Sequence, residues 1–114
     1  MIERYQLNER MSQTVVYKDQ VLISGQLAPH PEKDAFGQTK DILARIDELL
    51  KQAGTDKTRI LGANIWVSDM ANFTAMNDAW VSWIDPENPP VRACVKSELV
   101  SPEFLVEIQV SAVK

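Results

Sequence analysis

The chain has 114 residues, 45% hydrophobic and 25% charged, enough for one ordinary domain and unlike a disordered segment. Its net charge of −4, with 12 Lys and Arg scattered among 16 Asp and Glu, leaves no basic footprint for a nucleic-acid backbone. One Cys excludes an internal disulfide and no apolar run approaches the ~18 residues of a membrane span; with no signal-type segment at Met1 to Tyr5, a cytoplasmic location is expected.

In chain order, a short strand over Ile2 to Leu7 can precede two β-branched runs, Thr14 to Tyr17 and Val21 to Ser24. Separated by Lys18-Asp19-Gln20, these runs predict a hairpin. Gln26 to Lys33, with Pro29 and Pro31, predicts a loop. From Asp34 to Ala53 the period becomes helical. Phe36, Ile42, Leu43, Ile46, Leu49, Leu50 and Ala53 form one stripe, and Gly54 is a natural stop. Ile60 to Val67 predicts a strand with Leu61, Ala63, Ile65 and Val67 on one face. A second helix follows, with Asp69 or Asn72 as cap and Phe73, Met76, Trp80, Trp83 and Ile84 as its apolar side. Pro86, Pro89 and Pro90 end it. Val91 to Ser97 and Phe104 to Val113 predict the last two strands. This order implies an α+β domain spanning 1–114: one mixed sheet, with both helices brought to the same face by right-handed crossovers.

Treated as a hairpin, the last two strands register Val91 with Ile108, Ala93 with Val106 and Val95 with Phe104. Other registers of the same parity remain open. The apolar pairs would face the core, leaving Arg92, Cys94, Glu107 and Gln109 on the other side, with Arg92 opposite Glu107. Trp66, Leu105 and Leu22 are expected on that side too, and an uncovered apolar sheet face marks an interaction site. A partner subunit is therefore expected to cover it, enclosing Arg92 and Glu107 in an intersubunit cleft. On the pattern alone, the same two residues also read as a cross-strand surface ion pair.

Met11-Ser-Gln-Thr-Val, Ile23-Ser-Gly-Gln, Gln38-Thr, Asn72-Phe-Thr-Ala-Met-Asn77, Pro90-Val-Arg-Ala-Cys-Val95 and Val106-Glu-Ile-Gln-Val110 occur in the order and spacing of a known group. The chain resembles the reactive intermediate deaminase (Rid, or YjgF-type) family over nearly its whole length. The resemblance implies a chorismate-mutase-like fold, a homotrimer with a barrel-like core, and ligand clefts between neighbouring subunits. It implies hydrolysis of reactive 2-enamino and 2-imino acids to 2-keto acids and ammonia, without metal or organic cofactor. Arg92 matches the clamp for the substrate carboxylate, and Glu107 the acid that positions water. Ser24, Gly25, Asn77 and Cys94 match residues lining the site. Met11 stands where other members have a cleft tyrosine, and Arg10 precedes it, which alters the cleft wall. The alternative is a binding or sensing protein for small carboxylates on the same fold, without catalysis.

Other conspicuous residues have simpler readings. His30 lies in a Pro-flanked loop with no second His, so no metal-ligand spacing exists. Trp80 and Trp83 fall on the helical stripe as core residues. Cys94 reads as a small buried residue whose backbone, rather than sulfur, contacts a ligand. Asn77 is either a buried hydrogen-bonding residue or a cleft residue.

Overall fold

The helical stripe beginning at Asp34 forms α1, Ala35–Gln52, in a computed structural model that describes residues 1–114. The Asp34 carboxylate accepts a hydrogen bond from the Gly37 amide at 2.8 Å, and Gly54 ends the helix at φ 87°. Ile42, Leu43, Ile46, Leu49 and Leu50 are fully buried. Phe36, expected on the stripe, is 42% exposed; Ala35 takes the core-facing place, because Ala35, Thr39, Ile42 and Ile46 share one face of the helix. In α2, Phe73–Trp83, Met76 and Trp80 are buried while Phe73, Trp83 and Ile84 are half-buried. Asp69 caps the short 3-10 turn ahead of α2, accepting from the Ala71 amide at 2.8 Å, and Asn72 makes no cap bond.

The strands are β1 Ile2–Leu7, β2 Ser12–Tyr17, β3 Gln20–Ile23, β4 Gln26–Leu27, β5 Ile60–Val67, β6 Val91–Lys96 and β7 Val106–Val113. They form one seven-stranded mixed sheet in the order β1-β2-β3-β7-β5-β6, with β4 also pairing β7. β3 and β5 both run antiparallel to β7, so α1 links two parallel strands with β7 inserted between them. α2 links β5 to its parallel neighbour β6. Both helices lie side by side on one face, which is the expected α+β architecture. β4 takes two residues from the expected loop; Pro29 and Pro31 lie beyond it, so neither interrupts its pairing.

Two expectations about strand faces are corrected. First, β5 carries a bulge: Ile60 pairs with Ala112 and Gly62 with Ser111, skipping Leu61. Ile60 is buried as a result and Leu61 is 55% exposed. Second, the last two strands are not a hairpin. β5 lies between them, and the connection from β6 to β7 passes over its end, where the Ser68 amide donates to the Leu105 carbonyl at 3.0 Å and the Ser97 amide to the Val67 carbonyl at 2.9 Å.

The second correction reverses the faces of β6. Registered neighbours in a sheet share a face. Arg92 and Val110 both register with Ala63, which is buried against the helices. Val95 and Glu107 both register with Trp66, on the opposite, open face. Val91 and Val95, expected in the core, are therefore 78% and 51% exposed. Leu22 joins them on the open face, registered with Ser111 and 51% exposed. Leu105, expected there too, instead packs half-buried against the core.

Candidate functional site

The structure sorts the candidate residues into two groups on opposite faces. Arg92 and Cys94 project from β6 toward α2, on the sheet edge. The Arg92 guanidinium lies over the Trp80 indole, 5.5 Å from the ring centroid. None of the chain's ion pairs includes it. Asn77 is half-buried one helical turn before Trp80, so it belongs to this group by position. Half-burial pushes the Cys94 thiol up, with the nearby Arg92 charge only partly offsetting it. A thiol held protonated is a poor nucleophile, in keeping with a contact role.

The second group surrounds Glu107. Its carboxylate lies against Gly25: a Cβ added at position 25 would come within 3.1 Å of Cδ, and closer still to one carboxylate oxygen. Leu27 of β4 registers with Glu107 and holds the neighbouring strand in place. Desolvation alone raises the Glu107 pKa above the ordinary glutamate value. Met11 is 42% exposed beside the start of β2, the end of that strand adjoining Ser24. Arg10 pairs only with Glu9, at 3.6 Å and in solvent.

Ser24 is held within the chain. Its hydroxyl donates to Gln13 Oε1 at 2.9 Å and accepts from Gln26 Nε2 at 3.1 Å. Gln26 Nε2 also donates to Gln13 Oε1 at 2.9 Å and to the Ser24 carbonyl at 3.0 Å. These bonds commit the one proton of the Ser24 hydroxyl and tie the residues either side of Gly25 to β2. The sequence reading missed Gln13 and Gln26. It also missed the role of Gln38, which is fully buried. Gln38 Nε2 donates to the carbonyls of Pro31, Lys33 and Glu103 at 2.9–3.0 Å, and its Oε1 accepts from the Leu105 amide at 2.9 Å. That amide staples the chain just ahead of Glu107 to α1. The legible signal was an uncharged polar residue beside the core positions of a helical stripe.

The expectation that Arg92 and Glu107 share a face is thus corrected: one chain holds them on opposite sides of its sheet. A groove of about 520 Å³ opens on the open face, between Leu22, Gly62, Asn64, Val91, Gln109 and Ser111, and Glu107 is not among its walls. No three His, Cys, Asp or Glu residues gather as a metal site, and no helix is long and apolar enough to cross a membrane.

Residues 1–114 match the family described as Endoribonuclease L-PSP. The crystal structure of a YjgF-family member from Neisseria meningitidis superposes with a TM-score of 0.97 at 36% identity, covering 100% of this chain and 95% of that one. The chain belongs to the YjgF-type, or Rid, family. A RutC family protein of Haemophilus ducreyi is 38% identical to this Rid-type chain over 112 residues, 98% of the chain and 96% of the relative. A protein of Acinetobacter baylyi named 3-aminoacrylate deaminase RutC is 35% identical over 75 residues, 66% of this chain and 59% of its own length.

Proposed function

We propose that this Rid-type chain is a cytoplasmic hydrolase that converts 2-enamino and 2-imino acids to 2-keto acids and ammonia, in clefts between the subunits of a homotrimer. The observation that carries the reading is the segregation of the two groups. Arg92 has no ionic partner in its own chain, and Glu107 sits desolvated on the other face of the sheet. One chain cannot put both on one small ligand. A neighbouring copy seated on the exposed Leu22 and Val95 of the open face can, with Arg92 of one subunit facing Glu107 of the next.

In that cleft, the planar fork of Arg92 holds the ligand carboxylate through two charge-assisted hydrogen bonds. Glu107 accepts a proton from water as the water oxygen bonds to the imine carbon. That proton passes to the imine nitrogen to give a carbinolamine; its hydroxyl then yields its proton through Glu107 to the amino group, so the C–N bond breaks and ammonia leaves as the carbonyl forms. A carboxylate that takes up a proton in the first half can return it in the second. The imine is already an electrophile, so the step needs no cofactor. The Acinetobacter relative is named for deamination of 3-aminoacrylate, an enamine whose nitrogen is on carbon 3 where the ligands proposed here carry it on carbon 2. Gly25 and the backbone at Cys94 border the reacting group, while Ser24 and Asn77 support them.

A second reading, binding or sensing of a small carboxylate without turnover, is favoured by Met11, whose thioether offers no hydroxyl to a water. Ammonia release from freshly generated 2-iminopropionate decides between them. Release above the uncatalysed background that is lost in Arg92→Ala and Glu107→Gln supports the hydrolase; pyruvate binding with background release selects the binding protein.

A further inference from the structure

Arg92 stands on an edge strand, and an unanchored arginine there would sample many rotamers, at an entropic cost on clamping a ligand. In the structure its guanidinium instead rests over the indole of Trp80, a residue 5% exposed and built into the core. Trp80 is itself fixed. Its ring lies 5.5 Å from that of Trp83, tilted by 58°, and Trp83 Nε1 donates to Asp47 Oδ2 of α1 at 2.9 Å. A rigid mount therefore runs from α1 through two indoles to the guanidinium.

We propose that Trp80 is a positioning residue that pre-sets Arg92 for carboxylate capture and, through it, selects ligands with a carboxylate. This rests on the reading of Arg92 as the clamp. The indole occupies one side of the guanidinium and attracts its charge. The N–H edges remain free of ion pairs, so a carboxylate can approach them in the plane of the fork. Preorganisation of this kind lowers the cost of binding and leaves the chemical step alone. Trp80 thus acts on affinity, whereas Glu107 acts on turnover.

The test measures the Kd for pyruvate by calorimetry, and KM and kcat for 2-iminopropionate, in wild type, Trp80→Leu and Trp80→Phe. Fluorinated tryptophan is also placed at position 80 alone by stop-codon suppression, leaving Trp66 and Trp83 unchanged. Fluorination keeps the shape of the indole while weakening its attraction for a cation, so it remains informative where Trp80→Leu fails to fold. The expected result for Trp80→Leu is a roughly tenfold rise in Kd and KM with kcat within about threefold, largely rescued by Trp80→Phe. Kd should also climb with each added fluorine. Kd unmoved by fluorination, or kcat falling as far as affinity, overturns the role of Trp80. If Arg92→Ala binds pyruvate as well as wild type, the clamp reading itself falls, a result distinct from the failure of Trp80 alone.

Discussion

Gly25 and Glu107 meet across β4 and β7 with room for a hydrogen at position 25 and none for a methyl: an added Cβ would sit 3.4 Å from Glu107 Cγ, 3.1 Å from Cδ and closer to the carboxylate oxygen. Because the crowded atom is the end of a flexible side chain, Gly25→Ala should fold normally and swing the carboxylate aside. A displacement of about 1 Å costs on the order of 100-fold when a group must position water. Ammonia release should fall by about that factor with the melting temperature nearly unchanged, as steady-state assays and thermal melts would show.

Removing Gln38 tests the staple ahead of β7. In Gln38→Leu three carbonyls and the Leu105 amide lose their side-chain partner in a buried place. Each buried group left unpaired costs roughly 1–3 kcal/mol, so urea denaturation should show a loss of at least that size. Turnover should fall as well, since the chain entering β7 carries Glu107.

The desolvated Glu107 gives a pH signature. Its pKa is raised in the fold, so ionising it works against folding: the native state loses stability as pH rises through that pKa, and the penalty is absent below the ordinary glutamate value near ~4.3. A facing guanidinium would offset this, so the comparison belongs in an Arg92→Ala background. There, Glu107→Gln should stabilise the protein at pH 8 and lose its advantage toward pH 4, measured by denaturation at both.

The open face predicts an assembly defect. Leu22→Asp places a charge on a half-exposed apolar position of that face and leaves the core intact. Sedimentation should show smaller species, circular dichroism an unchanged fold, and the deaminase assay a loss of activity.

Much of the architecture was legible because both helices and most strands carry an unambiguous period. Gly54 and the proline cluster after α2 supplied the punctuation. The faces of β6 were not legible. Val91, Ala93 and Val95 alternate as a buried strand does, but alternation reports that one side of a strand is apolar and not what covers it. The helices cover one face of this sheet, and β6 turns its valines to the other. The hairpin was misread for a related reason: adjacency in sequence favours pairing, but the α2 crossover puts β6 beside β5 and leaves β7 on the far side. The bulge at Leu61 had no sequence marker except Gly62 beside it. For the site, the motifs singled out residues that the structure divides between two faces, while the bonds from Gln13 to Ser24 and Gln26 and from Gln38 to Glu103 and Leu105 span 11 to 67 residues and leave no local pattern.

Mixing two inactive variants tests most directly whether each cleft is built from two chains. Arg92→Ala and Glu107→Gln subunits are co-assembled from an equimolar unfolded mixture, and ammonia release is compared with each variant alone. If Arg92 of one subunit faces Glu107 of the next, random assembly into a closed ring gives about one site in four with both groups intact, and activity should return to about a quarter of wild type. Activity no higher than that of the separate variants would contradict the shared cleft.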